Sequence, residues 1–163
     1  MRTLVRRCNY DTASMSDSWN ILSLELLRRD VEGDTHKDHV DFDIGKYVDR
    51  YFKTKIADTK FLDQLDQTNV QCLTSTHIRK LLNIIRMVLS HPSFDIVCVH
   101  DEFKCGANHV NQMRFHYKEI MAEIAESNIL DDILSSIHGS PKRLQKLSND
   151  LPDLIRNSNY AIC

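Results

Sequence analysis

The residues with the clearest chemical potential are His100 and Asp101, which follow the apolar, β-branched run 94–99. Residues 102–105 alternate polar and apolar side chains and lead to Gly106, so the sequence predicts a hairpin with Asp101 near its tip. A carboxylate held there after a buried strand is fixed and accessible, which is how an oxygen ligand is presented to Mg²⁺. The alternative is a turn aspartate whose side chain accepts hydrogen bonds from the backbone.

Other groups of potential ligands have weaker patterns. The acidic segment 30–43 contains six carboxylates together with His36 and His39, and both side-chain types bind metals. It has no EF-hand glycine and no HExxH sequence, so a charged surface loop is predicted. The five cysteines are odd in number and widely spaced, with no CxxC pair. This pattern favours reduced thiols over a disulfide scaffold or a zinc site.

The elements that must position Asp101 are mostly helical. Apolar residues recur at helical spacing in five segments, which are 19–27, 44–56, 78–89, 110–124 and 129–137. The first 16 residues resemble a polar lead-in, and Ser16 or Ser18 is the expected cap of the first helix. With 163 residues, 4 glycines and 3 prolines, the chain suits one domain and not a turn-rich all-β fold. The predicted class is α+β, mostly helical with a small antiparallel β hairpin.

Charge and hydropathy limit the possible partners. The formal net charge is -2, so any contact with nucleic acid has to be local or shared with a partner. No apolar run approaches the roughly 18 residues that span a membrane, so no membrane contact is predicted. The N-terminus is basic through Arg2, Arg6 and Arg7 without a following hydrophobic stretch. A secretory signal is therefore not expected, and a mitochondrial presequence remains the alternative to a cytoplasmic location.

Three segments together resemble a known family. Residues 94–103, FDIVCVHDEF, resemble motif C of the family A polymerase superfamily, which includes phage-type single-subunit RNA polymerases and DNA polymerase I. Residues 69–80, NVQCLTSTHIRK, resemble the stretch N-F-V-H-S-x-D-x-x-H-L-R-K that lies one helix before motif C in the RNA enzymes. Residues 151–163, LPDLIRNSNYAIC, resemble the terminal L-x-D-I-L-x-S-x-F-A-F-A of phage RNA polymerases.

The resemblance implies a partial polymerase palm over residues 69–163, with 1–68 as a helical region of reduced fingers and palm surroundings. Asp101 would bind the catalytic Mg²⁺, and His100 would buttress the hairpin. His77, Arg79 and Lys80 would contact the nucleic acid. The residues of the C-terminal tail would lie at the active site, and they are Tyr160, Ala161, Ile162 and Cys163.

The sequence also departs from the family pattern. Cys72 stands where the family has histidine, and Thr74 or Ser75 replaces the following aspartate. Neither the motif A aspartate nor the motif B pattern of Arg, Lys and Tyr-Gly is present. The chain is therefore predicted to be a subunit or C-terminal fragment of a phage-type DNA-directed RNA polymerase, inactive alone. Its partners would be the polypeptide carrying motifs A and B, the DNA template, the RNA product and nucleoside triphosphates, in the cytoplasm of an infected bacterium.

Two other functions remain open. The first is a His-Asp metal-dependent phosphohydrolase that would use His77, His100, Asp101 and either Asp131 or Asp132. Such enzymes are all-helical, so a helix at 95–99 would favour this class and a strand would oppose it. The second is a non-catalytic phage interaction protein. Exposed apolar surface on the helices of 1–68 would support a partner for the split enzyme or for the interaction protein.

Overall fold

The computed structural model describes residues 2–33, 37, 44–100 and 102–159. Within these ranges the protein is mostly helical, with one two-stranded antiparallel sheet, which confirms the helical α+β class. The helices are α1 (Arg2–Cys8), α2 (Thr12–Glu32), α3 (Gly45–Thr54), α4 (Ser75–Val88), α5 (Val110–Glu126), α6 (Ile129–His138) and α7 (Leu151–Asn157). The strands are β1 (Val97–Val99) and β2 (Glu102–Lys104), and 3-10 helices cover Thr59–Gln64, Asn69–Cys72 and Ala107–His109.

The N-terminal segment is more ordered than its composition predicts. The expected polar lead-in is wrong, because residues 2–8 form α1 and bury Leu4 and Cys8. The expected cap of α2 is also wrong. The Asp11 side chain accepts a hydrogen bond from the Ser14 backbone N–H at 2.7 Å, so α2 begins several residues before Ser16 and Ser18. A carboxylate satisfies the free N–H groups of a first turn at least as well as a hydroxyl does.

The larger hydrophobic cluster joins α2, α3, α4 and the 3-10 helices between them. Its fully buried members include Leu22, Phe61 and Ile78. Thr74 caps α4 by accepting a hydrogen bond from the His77 backbone N–H at 3.2 Å. Because this cluster draws on residues from both sides of position 68, the two predicted regions share one core.

The smaller hydrophobic cluster lies between α1 and α5 and supports the hairpin. It is built from Leu4, Cys8, Phe94 and Met113, with Phe103 packed against it among other half-buried side chains. The turn before the hairpin is tied to α1, because the Phe94 backbone N–H donates to the Cys8 carbonyl at 2.8 Å. The hairpin is therefore anchored by the N-terminal helix as well as by α5.

Helices α5 and α6 follow the predicted boundaries closely, whereas α7 was not predicted. Helix α6 ends at Gly139, whose φ of 71° is left-handed, a conformation that glycine adopts without a Cβ penalty. Helix α7 lies along α5, where the Arg156 guanidinium bonds Glu119 at 3.1 Å and Glu126 at 2.6 Å. Among the described helices, none has both the length and the apolar character needed to cross a membrane.

Candidate functional site: the His100 hairpin

The predicted hairpin is present. Strands β1 and β2 pair with Val99 opposite Glu102, so the chain reverses direction between these two residues. His100 has a φ of 56°, which is the left-handed conformation that a two-residue type I′ turn requires at its first position. Asp101 itself lies outside the described residues. The reversal between Val99 and Glu102 agrees with the hairpin that the sequence predicts.

The prediction of a buried strand over 94–99 is wrong in extent and in burial. Only residues 97–99 form a strand, and Val97 and Val99 are 58% and 44% exposed. Alternate residues of a strand point to opposite faces, and the structure covers only the face that carries Cys98 and Phe103. An apolar run does not distinguish a strand buried on both faces from a strand with one uncovered face.

The two charged side chains of β2 form an ion pair. The Lys104 ammonium lies 3.2 Å from the Glu102 carboxylate, and both side chains are about two-thirds exposed. Among the described residues, no three His, Cys, Asp or Glu side chains come together in a group that could hold a metal ion. The Mg²⁺ assignment thus depends on Asp101 and stays a prediction, with the second carboxylate expected from another part of the assembly.

His77 does not lie at a surface. It is 1% exposed, and its ring stacks on Tyr51 with a centroid distance of 3.7 Å and packs edge-on against Phe61. Neither ring nitrogen has a hydrogen-bond partner. A direct contact between His77 and nucleic acid is therefore incompatible with this conformation. The burial of His77 could not be predicted from the sequence, because a buried histidine and a ligand-binding histidine can have the same helical spacing.

Arg79 and Lys80 are placed on the larger cluster, whereas the hairpin lies on the smaller one. The Arg79 guanidinium is 60% exposed and lies 3.6 Å from the Asp30 carboxylate. The Lys80 ammonium donates to the Lys55 carbonyl at 2.8 Å. These two cations are available to a ligand, but the described contacts do not join them to His100 in a single pocket.

The C-terminal tail begins beside the helix that supports the hairpin. The Lys118 ammonium donates to the Arg156 and Ser158 carbonyls, and the Arg114 guanidinium donates to the Asn159 carbonyl at 2.6 Å. On the same helix the Tyr117 ring lies 6.2 Å from that of Phe103 in β2. The predicted active-site residues Tyr160, Ala161, Ile162 and Cys163 lie outside the described residues.

A second buried histidine, His116, was not predicted from the sequence. His116 is fully buried, and its Nε2 atom lies 2.5 Å from Nε2 of His91. The two residues are 25 positions apart, and neither occurs in a recognisable motif. Burial, with smaller electrostatic effects of the neighbouring His91 and Arg7 side chains, lowers the pKa of His116 to about 3. Burial, with a smaller effect of Lys80, lowers the pKa of His77 to about 3 as well.

These two histidines predict acid destabilisation. Each binds a proton more weakly in the folded chain than in the unfolded chain, where the pKa is about 6.5. Stability is therefore fully present above pH 6.5 and falls as the pH drops towards 3, by about 2 kcal/mol per histidine at pH 5. Urea unfolding at pH 7.5 and pH 5.0 measures the loss. His77→Phe should remove about half of it, and equal stability of the wild type at both pH values would contradict the prediction.

Comparisons with known proteins do not assign this chain to a family. No family model matches the sequence, and no curated protein matches it significantly. The likeness to motif C therefore rests on the residues themselves and on the hairpin that carries them.

Proposed function

We propose that this chain supplies the motif C aspartate, Asp101, of a phage-type DNA-directed RNA polymerase whose motifs A and B lie on another polypeptide or on a missing N-terminal part. The observation that carries the proposal is the two-residue turn after β1, with His100 in the left-handed conformation. Under the proposal, the carboxylate that follows His100 in the sequence would be presented at this turn. The anchoring of the hairpin on α1 and α5 supports a fixed position, which metal binding requires.

The proposed reaction is templated nucleotide addition. The 3′-hydroxyl of the RNA attacks the α-phosphorus of a nucleoside triphosphate, a phosphodiester bond forms, and the bond to the β-phosphate breaks to release pyrophosphate. Bound Mg²⁺ would stabilise the charge on the attacking and leaving oxygens. In this chain Asp101 would provide a carboxylate for that metal, and His100 would hold the turn. Arg79 and Lys80 would contact phosphates of the nucleic acid.

Exposed apolar residues support the existence of a partner. On α2, Leu24, Leu27 and Val31 are 64%, 62% and 87% exposed and lie three and four positions apart, on one face of the helix. The uncovered valines of β1 form a second apolar surface, directly before the proposed catalytic turn. Contiguous apolar surface of this kind marks interaction sites in soluble proteins.

The phosphohydrolase is opposed by the described residues, whereas the non-catalytic interaction protein is compatible with them. A phosphohydrolase would carry its His-Asp doublet on a helix and would use His77 as a ligand, whereas here the doublet follows a strand and His77 is buried. A non-catalytic interaction protein is favoured by the exposed apolar face of α6, which includes Leu130 and Ile137 at 61% and 77% exposure. This second candidate needs a partner but makes no use of Asp101.

Identification of the partner separates the two surviving candidates. The tagged chain is captured from cells that produce it naturally, and the bound polypeptides are sequenced by mass spectrometry. A partner with an aspartate-bearing palm strand and a Lys and Tyr fingers helix supports the split polymerase. A partner that lacks both supports the interaction protein. A Leu24→Gln, Leu27→Gln double variant tests whether the α2 face is the contact, because it should weaken capture without affecting folding.

We expect that a tag fused after Cys163 cuts synthesis by the assembled polymerase sharply. Four residues span at most about 13 Å, which is comparable with the diameter of a helix. Tyr160 to Cys163 could therefore reach from Asn159 across α5 to the hairpin. Runoff transcription of the tagged and untagged complexes at matched protein concentration measures the effect.

The tag should leave the thermal midpoint and partner binding almost unchanged, because α7 is fixed to α5 by the Arg156 ion pairs upstream. Unchanged transcription by the C-terminally tagged complex would remove the tail from the active site.

A further inference from the structure

A basic groove lies between α1, α3 and the 3-10 helix Thr59–Gln64. Its volume is about 1020 Å³, at the upper end of the range for ligand pockets. Five of its lining side chains are cationic, and Asp58 is the one carboxylate among its lining residues. The cations are Arg2, Arg6, Lys46, Arg50 and Lys60. Because the chain as a whole carries a net charge of -2, this concentration of positive charge is local.

The spacing of the cations suits a chain of anions. Arg2 and Arg6 are four residues apart on α1, and Lys46 and Arg50 are four residues apart on α3. Side chains at this spacing lie on the same face of a helix, with Cβ atoms about 5–6 Å apart. Each of the two helices therefore offers the groove a pair of positive charges in line. A single small anion would need only one such pair.

Three of the five cations have no ion pair with any described residue. The Arg6 guanidinium lies 2.9 Å from Asp63, and the Arg50 guanidinium lies 3.2 Å from Asp58. Arg2, Lys46 and Lys60 are exposed and make no such pair within the described ranges. Like charges gathered around one cavity repel each other, and a polyanion bound in the groove would relieve that repulsion.

We propose that this groove binds the phosphate backbone of a single-stranded nucleic acid without regard to base sequence. The aromatic side chain in the lining, Tyr47, is only 7% exposed, so it offers no face on which a base could stack. Contacts from Arg and Lys to phosphates position a strand but do not read its sequence.

The groove also borders the hairpin. Cys98 of β1 is part of its lining, and two residues of strand span about 7 Å, so a bound strand passes close to His100. The preference for a nucleic acid over another polyphosphate rests on the proposed function. The positive charge of the groove does not depend on the proposed function, because its cations all lie within residues 1–68, outside the segments that resemble the polymerases.

The test is binding of a fluorescent, mixed-sequence, 20-nucleotide single-stranded DNA to the full chain, measured by fluorescence anisotropy. The salt concentration is varied between 0.05 and 0.2 M, a range over which the affinity due to phosphate contacts changes by roughly tenfold to thousandfold. The groove variant combines Arg2→Gln, Lys46→Gln and Lys60→Gln. The control variant removes the same charges from exposed positions elsewhere and combines Arg86→Gln, Lys53→Gln and Lys142→Gln.

The groove variant should bind about 100-fold more weakly near 0.1 M salt, because each lost phosphate contact reduces the slope of log K against log salt by about 0.7. The control variant should stay within about twofold of the wild type, and oligonucleotides of different sequence should bind equally. Equal losses in the two variants, or no binding by the wild type at the lowest salt, would overturn the proposal.

Two further measurements identify the ligand and separate the hypotheses. Inorganic triphosphate should compete only weakly with the oligonucleotide, because it spans fewer cations. Binding of triphosphate without binding of the oligonucleotide would overturn the nucleic-acid assignment. Asp101→Asn should bind the oligonucleotide as the wild type does. A wild-type complex that makes no RNA although its groove binds the oligonucleotide would therefore refute the polymerase proposal alone. A wild-type complex that makes RNA although the groove variant binds the oligonucleotide as tightly as the wild type would refute the groove alone.

Discussion

Asp101→Asn should abolish nucleotide addition by the assembled polymerase while leaving the fold intact. An amide cannot replace a carboxylate that binds Mg²⁺, and the metal contributes several kcal/mol of transition-state stabilisation. A loss of about 4 kcal/mol corresponds to about a thousandfold lower rate. The position follows an exposed hairpin strand, so the substitution removes no packing that the described residues show. Runoff transcription by the partner complex, at matched protein concentration, measures the effect.

The neighbouring residue provides the control. Glu102→Gln makes the same chemical change one position further along the hairpin, at an exposed side chain paired with Lys104. Under the proposal it should retain most of the activity, and both variants should unfold at the wild-type temperature. Near-normal synthesis by Asp101→Asn would remove this residue from catalysis. Equal loss in both variants would point to a general disturbance of the hairpin.

Glu123→Gln should destabilise the fold by about 3–5 kcal/mol, since it breaks a buried ion pair and leaves one charge without its partner. The Arg7 side chain is 1% exposed, and its Nη2 atom donates to Glu123 Oε2 at 2.6 Å. Two other nitrogens of the same guanidinium, Nε and Nη1, have no hydrogen-bond partner. The carboxylate of Glu123 is thus the main compensation for the buried charge that joins α1 to α5. Urea unfolding at pH 7.5 gives the free energy.

An exposed ion pair on the same helix is the matched comparison. Arg6 and Asp63 lie 2.9 Å apart with side chains that are 35% and 59% exposed. Asp63→Asn should cost no more than about 1 kcal/mol, because water screens the pair. If Glu123→Gln lost as little as Asp63→Asn, the buried pair would not be what holds α1 on α5.

The elements with strong local signals could be predicted from the sequence. Apolar periodicity indicated α3 through α6, and the predicted segments 110–124 and 129–137 end within two residues of the ends of α5 and α6. Helix α1 could not be predicted, because seven residues give too little periodicity and its stability comes from packing against α5. The exposure of Val97 and Val99 could not be predicted either, since it depends on which face of the hairpin the rest of the chain covers.

At the candidate site, too, locally encoded features could be predicted and features that depend on the tertiary fold could not. The hairpin around His100 followed from local alternation and from the glycine after it. The burial of His77 depends on Tyr51 and Phe61, which reach it through the tertiary fold. The basic groove brings together α1, α3 and a 3-10 helix from separate parts of the first 64 residues. No motif connects those cations, so only the folded arrangement identifies them.

Template-dependent RNA synthesis tests the central claim most directly. The chain is purified alone and, separately, in complex with the partner it captures, and both are supplied with DNA template, labelled nucleoside triphosphates and Mg²⁺. We expect no product from the isolated chain, which lacks a second metal-binding carboxylate motif and the triphosphate-binding lysine of the family. We expect template-dependent RNA from the complex. RNA made by the isolated chain, or a complex that makes none under any of these conditions, would contradict the proposal that this chain is one part of a split polymerase.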